Sequence, residues 1–383
     1  MKTYKEIKIK IGFAYLAIFF VSFAIFGKVH AQDVDMNLFL FGELQQQYNS
    51  GQRDVNFRLP DIAIFSLFRF GRVEAFTELA LEFELGKGSY SGLYPERFWL
   101  GYFFHPLLIG RFGLYHTPIG YFSRKYHHGP YLMTPIRRPV LVEFEDRGGP
   151  LPIHLLGIEL EGKADISDVK LGYIVESGFG SPHRILHAAE HQEHSPTVLG
   201  LDSFGTVIGK LYVKPLMFSE IGLSAGYFPE GGTGLIKIFV GPNFVYDEPG
   251  GPEAILEGFF LRELKSKRNG VGGFMIASYP LFKERFFHEI RPYLMLNALY
   301  WYEEGNRWFE QVKKFAKDEL LGEYPYQSHI GFIPGIKISI SPEAVAKIDF
   351  EYRIPKRNSG EEVKNIWFIR VMVGFGLPLL FSY

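Results

Sequence analysis

Four histidines stand close together in one segment of the chain and could bind a metal ion. His183, His187 and His191 are spaced by four residues, and His194 follows them. If the segment is helical, side chains four residues apart lie on one face, and imidazole nitrogens suit Zn²⁺ and Cu²⁺. The spacing predicts capture of zinc or copper, and no other cofactor is expected. A polar loop without metal explains the same residues.

The run from His187 to His191 reads His-Ala-Ala-Glu-His, which has the spacing of the inverted zinc-protease motif. That motif needs a further acidic ligand and a buried helix that shields the metal. The sequence shows neither, and it contains no nucleophile elbow or phosphate loop. We therefore expect no enzyme activity.

Charged side chains in a second segment, 117–153, and in the runs 73–85 and 108–116 could select solutes by charge if they lined a water-filled pore. The residues that we predict to line or constrict such a pore are Arg111, Arg124, Lys125, Arg137, Arg138, Glu143, Glu145, Asp146, Glu74, Glu78 and Glu82. Rings of basic side chains favour anions, and rings of acids favour cations. Because both signs occur, the sign of the selectivity stays open. A solvated surface loop that binds lipopolysaccharide phosphate, or nothing, is the alternative for 117–153.

Alternation with a period of two predicts the elements that position these charges. From 73 to 85 the odd positions are apolar or small, and most of the even positions are acidic. The runs 155–164 and 345–354 show the same pattern. Strands in soluble proteins average about 5–6 residues, whereas a tilted membrane strand needs about 9–11. The length and the pattern favour strands with an apolar outer face and a wet inner face.

The whole chain divides into sixteen such runs, an even number as in single-chain bacterial barrels. They are 38–48, 57–70, 73–85, 97–104, 108–116, 154–163, 169–177, 204–214, 219–228, 235–246, 254–262, 271–279, 285–302, 328–339, 344–354 and 365–383. Long connections, with 117–153 the longest, alternate with short turns. The predicted fold is all-β, a transmembrane antiparallel β-barrel with long external loops and short periplasmic turns.

The N-terminal region and the composition indicate export. Lysines at 2, 5, 8 and 10 precede an apolar run over 11–26 that closes on Val29-His30-Ala31, the order of a cleaved signal peptide. We predict a signal peptide at 1–31 and one barrel domain at 32–383. The chain has no cysteine, which excludes disulfides and thiolate metal sites. Its formal net charge of −1 is unlike that of a nucleic-acid binder.

The last predicted strand carries an apolar face from Trp367 to the terminal Tyr383, and it resembles the assembly signal of outer-membrane barrels. The stretch Gly110-Arg111-Phe112-Gly113, followed by Pro118 and Gly120 and then by Gly157-Ile158-Glu159-Leu160-Glu161-Gly162, resembles a pattern of porins. Together with the strand count and the long third loop, these features resemble the bacterial outer-membrane porin superfamily, in both its general and its phosphate-selective types.

The resemblance implies a water-filled channel in the outer membrane of a Gram-negative bacterium, for passive diffusion of small hydrophilic solutes or ions. It also implies that loop 117–153 folds into the lumen and that the chain forms a homotrimer. The expected partners are outer-membrane lipid, lipopolysaccharide and the barrel-assembly machinery, with no nucleic acid. The alternatives are a non-conducting surface barrel, or a metal-binding receptor that uses the histidines at 183–194.

Overall fold

The computed structural model describes residues 34–51, 53–58, 62–83, 91–126, 131–143, 149–180, 204–230, 235–265, 267–281, 288–302, 328–355 and 365–380. The predicted signal peptide at 1–31, the histidines at 183, 187, 191 and 194, and two predicted pore residues, Glu145 and Asp146, lie outside them. Those predictions therefore stay predictions. Within the described part of the chain, no helix combines the length and the apolar character needed to cross a membrane.

Seventeen strand segments form one sheet. They are β1 (Val34–Asn49), β2 (Asp54–Arg58), β3 (Ile62–Phe70), β4 (Val73–Phe83), β5 (Ser91–His105), β6 (Leu108–His116), β7 (His154–Ile166), β8 (Val169–Gly180), β9 (Phe204–Lys214), β10 (Ser219–Glu230), β11 (Leu235–Asp247), β12 (Glu253–Glu263), β13 (Arg268–Ser278), β14 (Glu289–Trp301), β15 (His329–Ser339), β16 (Ala344–Pro355) and β17 (Ile366–Leu380). Both β2 and β3 pair with β1, along consecutive parts of it. They are two parts of one spanning strand, so the segments occupy sixteen positions, as predicted.

The sheet closes on itself because its last strand pairs with its first. From β3 to β17, each strand pairs antiparallel with its neighbours in the chain. At the seam, β17 runs antiparallel to β1, with Glu43 opposite Gly374 and Gln47 opposite Arg370. Closure removes the two free edges that an open sheet would have, which is a condition for crossing a bilayer with strands.

Side chains alternate between an exposed apolar outer face and a buried inner face. On β12, Leu256 and Phe260 point outward and are exposed, whereas Ile255, Glu257 and Phe259 are buried inside. On β17 the predicted apolar face, including Ile369, Val371 and Val373, is the outer one. The predicted transmembrane β-barrel is therefore confirmed.

The strand boundaries depart most from the prediction at β5, which begins at Ser91 and not at 97. The register shifts there, because Arg97 lies opposite Glu78 while Pro95 lies opposite Leu79, so that Glu96 is an extra residue. Such a β-bulge reverses the alternation of the side chains. The bulge explains why the period-two pattern in the sequence begins only at 97, although the strand begins at Ser91.

Candidate functional site

The described parts of the long segment between β6 and β7 lie in the interior of the barrel. We call residues 117–153 the inner loop. It contains a one-turn helix α1 (Phe122–Lys125) and a 3-10 helix (Val140–Val142). Its described parts are largely buried, and their contacts are with the inward faces of strands on several sides. The described residues of the inner loop therefore lie in the lumen, as predicted.

An apolar interface joins the inner loop to one side of the wall. The Phe122 ring meets the Phe274 ring edge to face at 5.7 Å, and Leu141 lies against Gly272. The inward apolar side chains of this wall that join the same buried cluster are Ile208, Phe228, Phe239, Val245, Ile255, Phe259, Leu261, Phe274, Ile276, Met295, Leu299, Trp301 and Ile333. The apolar side chains on the inner face from β9 to β15 therefore form one hydrophobic cluster with the inner loop.

Three wall side chains hold the backbone at the start of the inner loop. The Ser224 hydroxyl donates to the Pro118 carbonyl (2.8 Å) and accepts from the Gly120 amide (3.0 Å). The Lys210 ammonium donates to the Gly120 carbonyl at 2.7 Å. One oxygen of Glu257 accepts from the amides of Tyr121 (2.7 Å) and Phe122 (2.8 Å). We call Ser224, Lys210 and Glu257 the latch.

Further along, the inner loop reaches the opposite wall. The Lys347 ammonium on β16 donates to the Met133 carbonyl at 2.5 Å. The Tyr131 amide donates to Glu43 on β1 (3.3 Å), and the Tyr131 hydroxyl donates to the Pro342 carbonyl (2.8 Å). The loop thus crosses the lumen from the β9–β15 side to β16 and β1.

A belt of paired charges lies on the wall from β4 to β8. Strand register places Glu74, Gly101, Arg111, Glu159 and Glu176 side by side on five neighbouring strands. Arg111 binds Glu159, and it contacts Glu161 at 2.6 Å. It has room to do so because Gly101, opposite it, carries no side chain.

The inner loop adds one cation to this belt. Arg124 of α1 reaches Glu159 and, at 3.2 Å, Glu176. Buried carboxylates require such partners, since an isolated buried charge is costly. The predicted pore residues Arg111 and Arg124 are therefore brought together by a shared carboxylate, although they belong to a strand and to a loop.

The other predicted pore residues are placed as follows. Arg97, a residue missed at the level of sequence, pairs with Glu78 at 2.6 Å. Lys125 contacts Asp247, and Arg137 lies 3.6 Å from Glu143. Arg138 is buried and donates to the backbone carbonyls of Tyr126 and Val142, which is a structural role. Glu82 lies in β4 opposite Gly92.

Tyr126 shows how the inner loop uses neutral donors against acidic wall residues. Its hydroxyl lies 3.1 Å from a Glu253 oxygen and 3.4 Å from an Asp247 oxygen. Burial raises the pKa of the Tyr126 phenol, and the charges of Glu253 and Asp247 raise it further. The phenol therefore stays protonated and donates at neutral pH.

Metal binding finds no support outside the histidine segment. Among the residues described, no cluster of three or more histidine, aspartate or glutamate side chains is arranged to hold a metal ion. The predicted zinc or copper site at 183–194 is not tested by this, because it lies outside those residues.

Among known proteins, the chain is similar to solved structures, whereas comparison of sequences finds no match. No family model and no curated protein sequence matches the chain. The outer-membrane channel DcaP of Acinetobacter baumannii has a TM-score of 0.57 at 9% identity, with 91% of this chain and 98% of that chain covered. The anion-selective porin from Comamonas acidovorans has a TM-score of 0.58 at 10% identity, with 90% and 100% covered.

The fold is that of an outer-membrane porin. Salmonella typhi OmpF also shares it, with a TM-score of 0.52 at 10% identity and coverage of 90% of this chain and 97% of that chain. These comparisons confirm the predicted porin-like architecture. At such identities the likeness is one of fold, so the solute must be argued from the lumen of this porin fold itself.

Proposed function

We propose that the chain forms a water-filled diffusion channel in the outer membrane, and that the inner loop sets its narrowest part. A barrel of 16 to 18 strands is wide enough for an aqueous channel, unlike one of about eight. The observation that carries the proposal is the latch, together with the contacts of Met133 and Tyr131, because they hold the loop across the lumen.

The side of the lumen that stays open in this proposal is the wall from β3 to β6. Arg69 keeps 52% of its side chain exposed, and Arg97 and Arg111 keep 19% and 13%. On the wall from β9 to β15, by contrast, the inward apolar residues are buried under the loop. Water and solutes therefore pass along the charged wall.

Planar-bilayer recording of the purified, refolded protein tests this function. We expect discrete conductance steps from the native chain, and larger steps from a variant in which 120–148 is replaced by a short Gly/Ser linker. A matched variant shortens 183–200 in the same way and keeps the native step size. Absence of steps from the native chain refutes the channel. Equal steps from all three chains refute the inner loop as the constriction.

We further propose that the channel is a homotrimer that contacts lipid and lipopolysaccharide and is inserted by the barrel-assembly machinery. Mass measurement of the protein in detergent distinguishes one, two and three chains. A monomer that conducts leaves the channel proposal intact and refutes the trimer.

A further inference from the structure

Four aromatic rings form a continuous row on the open wall of the lumen. Phe39 on β1 stacks on Phe65 of β3, with ring centroids 5.2 Å apart and planes at 13°. Phe65 is followed by Phe76 of β4 at 6.3 Å, and Phe76 stacks on Trp99 of β5 at 5.6 Å and 15°. All four are inward-facing and only partly buried. They differ in this from Phe259 on β12, which is buried in the cluster that the inner loop joins.

Guanidinium groups stand on both sides of the last two rings. The register puts Phe76 opposite Trp99. Arg97 is the inward residue before Trp99 on β5. Arg111 on β6 lies opposite Gly101, which is the inward residue after Trp99. The Arg97 guanidinium lies 4.8 Å from the centre of the Phe76 ring, and that of Arg111 lies 5.1 Å from the Trp99 ring. The rings and the cations therefore form one surface.

The closest acidic partners of these cations are shielded from the lumen, whereas Glu74, 3.9 Å from Arg111, keeps 27% of its side chain exposed. Glu78 and Glu159 have 0% and 1% of their side chains exposed, whereas Arg97 and Arg111 keep 19% and 13%. Arg97 donates to Glu78 through Nε at 2.6 Å. This hydrogen bond uses Nε and neither of the two Nη groups of Arg97.

We propose that Phe76, Trp99, Arg97 and Arg111 form a binding site for an organic anion with a planar apolar body, such as an aromatic carboxylate. The carboxylate accepts hydrogen bonds from the Arg97 Nη groups, a pairing that suits guanidinium geometry. The body of the ligand stacks on the Phe76 and Trp99 rings, which favours flat apolar groups over inorganic anions. This site deepens the proposed channel function by naming the class of solute that pauses at the open wall.

Calorimetric titration of the folded full chain in detergent tests the site without requiring conduction. The probes are benzoate, acetate and benzyl alcohol, which separate the charge from the ring. We expect benzoate to bind about tenfold more tightly than acetate, which lacks the ring, and than benzyl alcohol, which lacks the charge. A factor of ten corresponds to about 1.4 kcal/mol, which lies within the range for aromatic stacking. If benzoate binds no more tightly than acetate, the proposal is wrong.

Substitutions then locate the binding. Trp99→Leu should lower benzoate affinity about tenfold and leave acetate affinity unchanged. Arg97→Lys keeps the charge beside buried Glu78, so the barrel folds, but it removes the planar fork and should also weaken benzoate binding. Trp367→Leu is the control, because Trp367 lies on the outer face. Native benzoate affinity in Trp99→Leu would overturn the assignment.

The outcomes also separate this site from the channel itself. Binding of benzoate by a protein that gives no conductance steps refutes the channel and keeps the site. Conductance steps from a protein that does not discriminate benzoate from acetate keep the channel and refute the site. Folding of each variant is checked by the shift in gel mobility between heated and unheated protein.

Discussion

At the residue scale, Gly120 and Glu257 depend on each other. Gly120 has a φ of +63°, and a Cβ at this position would lie 1.8 Å from a Glu257 oxygen. The same carboxylate accepts from the amides of Tyr121 and Phe122. The absence of a side chain at 120 therefore lets the carboxylate approach the backbone closely enough to bind the start of α1.

Gly120→Ala should release the inner loop. The left-handed backbone costs an L-residue about 1–2 kcal/mol, and the methyl group also displaces the Glu257 carboxylate. Gly71→Ala is a matched control, since Gly71 has a φ of +54° with nothing within 4 Å of the added Cβ. We expect trypsin to cut after Lys125 in the Gly120 variant alone. Equal protection of the two variants would contradict this role of Gly120.

Glu257→Ala should also release the inner loop, because it removes a hydrogen-bond acceptor and adds no steric clash. It removes the partner of two amides, and a buried donor left without a partner costs about 1–3 kcal/mol. Glu257→Gln retains an acceptor oxygen and should leave most of the loop protected. Conductance noise and trypsin cleavage report the release. If the Gln variant is cut as fast as the Ala variant, the carboxylate acts by its charge and not as an acceptor for these amides.

At the element scale, the strands were predictable from the sequence and the path of the inner loop was not. Period-two runs predicted sixteen strands, and the strand segments of the closed sheet occupy sixteen positions. Residues such as Phe239, Phe259 and Phe274 were the missed signal. They are apolar at inward positions of a barrel, where water would be expected, so something apolar must cover them.

The latch could not be predicted from the sequence either, because its members are far along the chain from the groups that they bind. Ser224, Lys210 and Glu257 lie on three strands, and each is more than 80 residues along the chain from the backbone groups that it binds. No local spacing relates them to Gly120. Arg124 and Arg111 were predicted as pore residues from their charge alone, but their common partner Glu159 required the strand register.

Phe122→Ala tests whether the apolar interface between the inner loop and the wall holds the loop in place. Phe122 is fully buried against Phe274 and Tyr126, and truncation of a buried Phe costs about 3–5 kcal/mol. Phe260→Ala is the control on the neighbouring outer face, where the ring is exposed. We expect the Phe122 variant to conduct with larger and noisier steps while the barrel stays folded. Native steps would show that the latch alone holds the inner loop.

At the scale of the whole molecule, the seam between β17 and β1 carries a buried ion network that ties three strands together. Arg370 on β17 binds Asp349 at 2.9 Å and also Glu351, both on β16, and it donates to Gln47 of β1 at 2.9 Å. A closed barrel has no other element to replace a lost contact here, because β1 and β17 already have neighbours on both sides. Closure and charge satisfaction are therefore coupled at this point.

Arg370→Met should destabilise the whole barrel. It leaves Asp349 buried without its cation, and breaking a buried ion pair costs about 3–5 kcal/mol. Arg69→Met makes the same substitution at a half-exposed pair with Glu74, where about 0–1 kcal/mol is expected. The urea midpoint of unfolding, followed by tryptophan fluorescence, should fall clearly for the Arg370 variant and little for the Arg69 variant. Equal midpoints would mean that water reaches Asp349 and that the seam is held by the backbone ladder alone.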